Sequence, residues 1–160
     1  MLSVQITDIG KLTGMLFSGN EFDRFLLHDM TLKTSFLTSF SGEILPEFYE
    51  GETSEIPENA YVSWEKLRPL SESLLKGKHL PLSFKIVLLT SKKTTEALKA
   101  KAGFTDCDVS SLSLTLIFRE KALYLMTGIS LLGFSMDKSL EKLWDQTVEQ
   151  FLTSKDVRFV

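Results

Sequence analysis

Residues 111–132, SLSLTLIFREKALYLMTGISLL, decide the fold class. The first half alternates between small polar residues and the apolar residues Leu112, Leu114, Leu116 and Phe118. Successive side chains of a strand point to opposite faces, so this pattern predicts a strand with one buried face. Glu120 and Lys121 are then a tight connection into a partner strand over residues 122–132. The segment is therefore a predicted antiparallel hairpin.

The elements on either side of this hairpin are also marked in the sequence. An apolar run at 82–89 follows Pro81, and its apolar residues at both odd and even positions predict a central strand covered on both faces. Ser91 is placed to cap a helix that runs to about Ala102 and ends at Gly103. After the hairpin, Asp137 is placed to cap a last helix, whose apolar residues are Leu140, Leu143, Trp144, Val148, Phe151 and Leu152.

The N-terminal half has a similar order of elements. A short strand at 4–6 leads into a helix at 8–17 that Asp8 is placed to cap. Two strands follow within 25–44 and are joined near Thr34. A helix with Trp64, Leu67, Leu70, Leu74 and Leu75 comes next, and Pro69 is expected to kink or restart it because proline lacks the backbone donor.

The order strand, helix, strand, strand thus occurs twice, within 1–45 and within 82–134. Val4-Gln5-Ile6-Thr7-Asp8 even resembles Val87-Leu88-Leu89-Thr90-Ser91, but identity beyond that is low, so duplication and coincidence both stay open. We predict one domain over 1–160 with an α+β fold: a mainly antiparallel sheet of five to six strands, packed helices, a β-α-β-β duplication and two extra helices. The predicted core comprises Leu12, Leu16, Phe25, Leu27, Trp64, Leu67, Leu74, Phe84, Ile86, Leu88, Leu98, Leu114, Leu116, Leu125, Trp144, Val148 and Phe151.

Composition narrows the class of protein. The 160 residues are 43% hydrophobic and carry a formal net charge of −3, which is typical of a globular domain and unlike a protein that coats nucleic acid indiscriminately. Cys107 is the single cysteine, so the chain has neither an internal disulfide nor a cysteine-built zinc site. Signal-peptide features are missing at the start, and no run reaches the ~18–20 apolar residues of a membrane helix. We expect a cytoplasmic protein with no membrane partner.

Charge is distributed unevenly along the chain. Residues 43–60 form a predicted acidic loop with glutamates but no lysine or arginine, whereas 65–101 has an excess of lysines. Phe48 and Tyr49 lie within the acidic loop. They either fold back onto the body of the protein or form a tip that contacts a protein partner.

Two groups of lysines are candidate anion or nucleic-acid contacts. Lys76 and Lys78 flank Gly77, but this segment ends a helix, where the dipole disfavours an anion; a helix stop with Gly77 in the left-handed conformation is the preferred interpretation. Lys92 and Lys99 share one helix face and, together with Lys11, could contact a phosphate backbone. Glu96 lies between Lys92 and Lys99, so a salt-bridged solvent face is the alternative.

Catalytic and metal constellations are sparse. His28 and Asp29 could form a base and its orienting carboxylate only if their strand bent, since neighbours on a strand point to opposite faces. Cys107 has no visible activating partner, and Asp106 and Asp108 beside it lack further ligands. The chain contains no phosphate-binding or dinucleotide-binding glycine motif. The sequence therefore predicts no catalytic residue, metal site or cofactor.

One family resemblance spans nearly the whole chain. It rests on Trp64-x-x-Leu67-Arg68-Pro69, on Lys76-Gly77-Lys78-x-x-Pro81-Leu82-Ser83-Phe84-Lys85, and on Asp137-Lys138-Ser139-Leu140 with Trp144. These runs resemble a family of uncharacterised proteins from clostridial bacteria. The resemblance implies a bacterial, cytoplasmic protein and transfers no catalytic residue. More loosely, the repeated unit is similar to the half-domain of DNA sliding clamps, in which Lys11, Lys92 and Lys99 would face the DNA.

Three functional hypotheses follow from these patterns. The leading one is a non-catalytic binding or interaction module, with a protein partner or a second copy of the chain. The second is a clamp-like protein that uses the basic helix face to bind nucleic acid. The third is a small enzyme built on a His/Asp or Cys site.

Overall fold

A computed structural model describes residues 1–160, which form one antiparallel sheet and four α-helices. The α+β prediction is confirmed. The elements in chain order are β1 (Ser3–Ile6), α1 (Ile9–Phe17), β2 (Leu26–Lys33), β3 (Leu37–Ser41), α2 (Trp64–Leu75), β4 (Ser83–Leu89), α3 (Lys92–Ala102), β5 (Val109–Arg119), β6 (Ala122–Leu131) and α4 (Ser139–Ser154). Two short 3-10 helices, Pro46–Tyr49 and Thr53–Glu55, lie in the acidic loop.

The sheet has six strands in the order β1-β6-β5-β4-β2-β3, and every neighbouring pair is antiparallel. The hairpin predicted at 111–132 is present as β5 and β6, with Arg119 opposite Ala122 at its tight end. β4 lies near the middle of the sheet, as expected of its apolar sequence.

All four helices cover the same face of the sheet. The Phe17 ring of α1 packs edge-on against Phe84 of β4, with ring centroids 5.5 Å apart. On α2, Ser71 Oγ lies 3.7 Å from Met30 Sδ, and Met30 shares the face of Phe84 because paired residues of antiparallel strands point the same way. Helices α3 and α4 line a cleft with Leu114, which pairs with Leu88 on that same face.

The opposite face of the sheet carries no helix, and this corrects one prediction. The sequence predicts that β4 is covered on both faces, yet Lys85 is exposed and Val87 is only half-buried. Half-buried residues such as Tyr124 and Ile117 lie on this bare face, and the Arg119 guanidinium stacks over Tyr124 at 5.7 Å. β4 carries apolar residues on both faces. Over most of the strand, however, the packed helices bury only one of these faces.

The predicted core is largely confirmed. Twelve of the seventeen residues belong to the buried cluster, and the other five pack against it while keeping some exposure: Phe25, Leu67, Leu74, Leu98 and Phe151. Trp64, for example, is fully buried, and its indole Nε1–H donates to the Leu16 carbonyl at 2.8 Å. Three of the five half-buried residues line the cleft described below.

The two predicted repeats share an order of elements but not a pattern of strand pairing. In the second unit, β4, β5 and β6 are consecutive neighbours. In the first, β2 pairs with β3, whereas β1 lies at the far edge beside β6. The duplication therefore stays a prediction that rests on element order alone.

Helix ends follow the sequence signals in some places and not in others. The Ser91 side chain accepts a hydrogen bond from the Thr94 N–H, and Gly103 is left-handed with φ of 67°, both as predicted. Asp8 precedes α1 but makes no side-chain cap, because its carboxylate binds Arg158 instead. α4 begins at Ser139, whose N–H donates to Asp137 Oδ1, so Asp137 binds a first-turn donor although it lies one residue before the cap position.

Of the two outcomes predicted at Pro69, a kink or a restart of the helix, the restart is wrong. The helix continues through the proline from Trp64 to Leu75. Buried contacts on both sides of it, at Trp64 before and Ser71 after, hold the two halves in one helix.

Candidate functional site

The lysines proposed as a nucleic-acid face are partly neutralised. Lys11 Nζ donates to the Asp156 carbonyl at 3.0 Å and lies 3.7 Å from Asp156 Oδ2. Lys99 Nζ lies 3.5 Å from Asp108 Oδ1. Lys92 is exposed and opens α3. Two of the three positive charges thus already have a carboxylate, which weakens the field available to a phosphate backbone.

The segment at Lys76 and Lys78 has the geometry of a helix end. α2 ends at Leu75, Lys76 is extended, and both lysines are exposed. Gly77 has φ of 145°, which is positive but far from the left-handed helical value, so the predicted left-handed glycine cap is wrong. With Lys76 already extended, the chain leaves the helix one residue before the glycine. No helix begins here that would aim N–H groups at an anion.

Phe48 and Tyr49 end the first 3-10 helix of the acidic loop. Their rings contact edge-on, with centroids 5.4 Å apart, and Phe48 is 79% exposed. Tyr49 is half-buried. Of the two alternatives for this pair, the structure has Phe48 pointing into solvent while Tyr49 folds back.

His28 and Asp29 come together despite being neighbours on β2. A register shift between Leu27 and Asp29 places a β-bulge at His28, and His28 Nδ1 lies 2.6 Å from Asp29 Oδ1. The imidazole also stacks on Tyr61 at 5.0 Å. Bulges re-aim side chains, which is the bend that a His/Asp pair requires. Both groups are well exposed, and neither lines one of the larger clefts.

The region around Cys107 does not assemble a metal-binding group. Cys107 is half-buried and free. Asp106 accepts a hydrogen bond from the Ser135 hydroxyl at 2.6 Å, while Asp108 faces Lys99. Across the chain, no set of three or more His, Cys, Asp or Glu side chains is close enough to hold an ion.

A cleft of about 300 Å³ lies between α3, α4 and the loop that leads into β2. Its walls are apolar and rich in aromatic rings. Phe25 approaches Trp144 with ring centroids 6.4 Å apart, and Phe151 packs edge-on against the buried Phe22 at 5.5 Å. The Trp144 indole is held in place because its Nε1–H donates to the Ser113 carbonyl at 2.9 Å. Leu98 of α3 completes the wall.

Polar groups lie around this apolar cleft. Arg24 is exposed and makes no hydrogen bond or ion pair, and Glu21 has a buried Oε2 with no hydrogen-bond partner. Hydroxyl groups also line the cleft: those of Thr90, Ser91, Thr94 and Thr147. The site therefore combines an apolar interior with one free cation, one carboxylate and several hydroxyls, a combination typical of small-molecule pockets.

A second, larger cleft of about 570 Å³ lies between α1 and the segment from Leu75 to Phe84. Its charged lining is a single lysine, Lys121, and the exposed Leu80 forms part of its rim. We regard the first cleft as the stronger candidate because both a cation, Arg24, and a carboxylate, Glu21, line it, whereas the second cleft has aromatic walls and hydroxyls but no carboxylate.

Sequence reasoning placed Phe25, Leu98, Trp144 and Phe151 in the core and missed the cleft they line. These residues come from three segments that are distant in sequence, so no local motif marks them. A sequence signal for the cleft is the pair of charged residues Glu21 and Arg24, which lie next to the apolar Phe22 and Phe25.

Comparison with known proteins gives a family and no activity. A family match covers residues 15–160. The chain belongs to DUF5721, a family of unknown function. No curated protein and no solved structure matches it. In this DUF5721 protein, none of the helices has the length and apolar character needed to span a bilayer.

Proposed function

We propose that this protein is a non-catalytic binding module that takes a small molecule in the cleft between α3 and α4. The observation that carries the proposal is the apolar, aromatic-walled cleft itself. Phe25, Leu98 and Phe151 pack against the core yet keep surface open to the cleft. A ligand that covered this apolar surface would gain roughly 25 cal/mol for each Å² removed from water.

The dimensions and lining favour one class of ligand. A volume of about 300 Å³ is at the small end of the range for ligand pockets, which is roughly 300–1,000 Å³. The aromatic wall favours a flat apolar group, while Arg24 offers an unpaired cation beside it. The ligand we infer is a compact, largely apolar molecule with one polar or anionic end.

We further propose a bacterial, cytoplasmic setting for this module. The resemblance to clostridial proteins supports the bacterial origin. The free Cys107 supports the cytoplasmic location, because unpaired thiols are typical of reducing compartments.

Binding of anilinonaphthalene sulfonate, an aromatic probe with one anionic group, tests the proposal. Thr94 is exposed on α3 and lines the cleft, so Thr94→Phe places a ring across the opening. We expect this variant to bind the probe roughly tenfold more weakly than the wild type, as measured by fluorescence titration. Ala97→Phe is the matched control, because Ala97 is exposed on the same helix but does not line the cleft.

The control should bind the probe as the wild type does. Equal affinity of the wild type and Thr94→Phe would show that the probe binds elsewhere and would contradict the proposal. Loss of binding in both variants would also contradict it, since the effect would then not depend on the cleft.

A further inference from the structure

The two edges of the sheet differ in how far their backbone groups are paired. At the β1 edge the C-terminal residues pair with the strand: Gln5 exchanges both backbone hydrogen bonds with Val160 at 2.9 Å, and the Thr7 N–H donates to the Arg158 carbonyl. β3 at the other edge pairs with β2 alone. The β3 edge is therefore the open edge of the sheet.

The register identifies which groups of β3 face outward. The Gly42 N–H donates to the His28 carbonyl, and the Thr34 N–H donates to the Phe36 carbonyl, each at 3.0 Å. Hydrogen-bonded positions alternate along an antiparallel pair, so even-numbered residues of β3 bond to β2. The odd-numbered residues, Leu37, Ser39 and Ser41, present their N–H and C=O groups away from the sheet.

This edge lacks the features that usually block pairing with another chain. Exposed edge strands are commonly protected by charged residues, proline or a bulge. Residues 34–42 contain no charged residue and no proline, and the β2–β3 register has no shift. Phe36 and Leu37 at one end of β3 are 57% and 63% exposed. The strand thus combines unpaired backbone groups with apolar surface.

We propose that β3 pairs antiparallel with β3 of a second copy of this chain, about a two-fold axis at Ser39. In that register Ser39 lies opposite Ser39 and Leu37 lies opposite Ser41 of the second copy, so every outward backbone group of β3 gains a partner. In a two-fold contact the same surface is used by both copies. One short strand therefore provides both sides of the interface. The two sheets become one continuous sheet.

Charge favours this antiparallel arrangement. Lys33 pairs with Leu37 at one end of β3, and Glu43 follows Ser41 at the other end. The two-fold axis brings Glu43 of each copy toward Lys33 of the other, whereas a parallel arrangement would bring the two acidic loops together. Phe36 of one copy then lies beside Gly42 of the second, next to the exposed Leu45.

Charge substitutions at Ser39 test the pairing by sedimentation equilibrium of the full chain. Ser39 is exposed, so Ser39→Lys and Ser39→Glu leave the fold intact, which thermal unfolding checks. The wild type should form a dimer. Either variant alone should dimerise at least about tenfold more weakly, because two like charges face each other at the axis. An equimolar mixture of the two variants should restore the dimer, since the charges are then opposite.

Gln5→Lys is the matched control, because it adds the same charge on the strand whose edge is already paired. It should dimerise as the wild type does. A wild type that sediments as a monomer at all soluble concentrations would overturn the proposal and leave the edge open to an extended segment of another protein. Undiminished dimerisation of Ser39→Lys, or a mixture that fails to recover it, would overturn the assignment to β3.

Discussion

At the scale of single residues, the contact between Asp8 and Arg158 joins the two ends of the chain. The Asp8 carboxylate accepts from the Arg158 backbone N–H at 2.9 Å, from its Nε at 3.0 Å and from its Nη2 at 2.8 Å. The hydrogen bonds from the Arg158 side chain and backbone lower the pKa of Asp8 from 3.8 to about 2. This ion pair fastens the C-terminal residues along β1.

The lowered pKa predicts a pH dependence of stability. Between pH 3.8 and about 2 the unfolded chain holds a proton on Asp8 that the folded protein does not. The contribution of the pair is therefore complete above this window and is lost as the pH falls through it. Urea midpoints measured at about pH 5 and about pH 2 should fall less in Arg158→Gln than in the wild type.

Lys155→Gln is the control for this measurement, because Lys155 makes no ion pair. Its midpoint should fall by the same amount as that of the wild type. A wild type and an Arg158→Gln variant with parallel pH profiles would show that the Asp8 pKa is not lowered by this contact.

The partner of a single residue could be predicted from the sequence only where the two residues lie close together in the chain. Ser91 caps α3 through an N–H three residues away, and the sequence identifies it. The same rule fails at Asp8, whose partner Arg158 is 150 positions distant. The approach of His28 to Asp29 depends on a bulge, which is determined by pairing with β4 and leaves no mark in the sequence of β2.

At the scale of the element, two glycines in helices should respond oppositely to the same substitution. Gly103 ends α3 with φ of 67°, where a Cβ is strained, so Gly103→Ala should destabilise the protein by about 1–2 kcal/mol. Gly14 lies within α1, and a Cβ there meets nothing within 4 Å. Gly14→Ala should stabilise by about 0.5–1 kcal/mol, because alanine loses less conformational freedom in a helix.

Urea unfolding of both variants against the wild type measures the two effects, and each variant serves as the control for the other. A loss of stability in Gly14→Ala would mean that α1 is packed more tightly than the structure indicates. Unchanged stability in Gly103→Ala would show that Gly103 does not form a left-handed cap at the end of α3.

Element type and position were predictable because the signals act over a few residues. The alternation in β5 and β6 and the cap and glycine of α3 gave these elements their observed bounds to within a few residues. Pro69 is the exception. Backbone bonding alone allows a restart of the helix there, whereas α2 continues through the proline with buried contacts at Trp64 and Ser71 on either side.

At the scale of the whole molecule, the arrangement of elements was not predictable. β1 pairs with β6 and β2 with β4, contacts between segments far apart in the chain that no local pattern specifies. The placement of all four helices on one face is likewise set by contacts between distant segments. The cleft in turn depends on it, since α3, α4 and the loop before β2 meet only in the folded protein.

The two tryptophans provide the most direct test of ligand binding in this cleft. Trp144 lines it, and its indole N–H donates to the Ser113 carbonyl. Trp64 is fully buried outside it, and its indole N–H donates to the Leu16 carbonyl. Trp64 also contacts Phe17, which lines the second cleft, at a centroid distance of 6.0 Å. The chain has two tryptophans, so the Trp144 indole reports on this cleft and the buried Trp64 indole serves as an internal reference.

The decisive measurement is a proton–nitrogen correlation spectrum recorded during titration with anilinonaphthalene sulfonate. Binding in the cleft between α3 and α4 should shift the Trp144 indole signal progressively and leave the Trp64 signal in place, because only Trp144 contacts the ligand. A Trp64 signal that moves while Trp144 stays still would place the ligand outside this cleft, on the side of Phe17. That result, or no shift of Trp144 at saturating probe, would contradict the account.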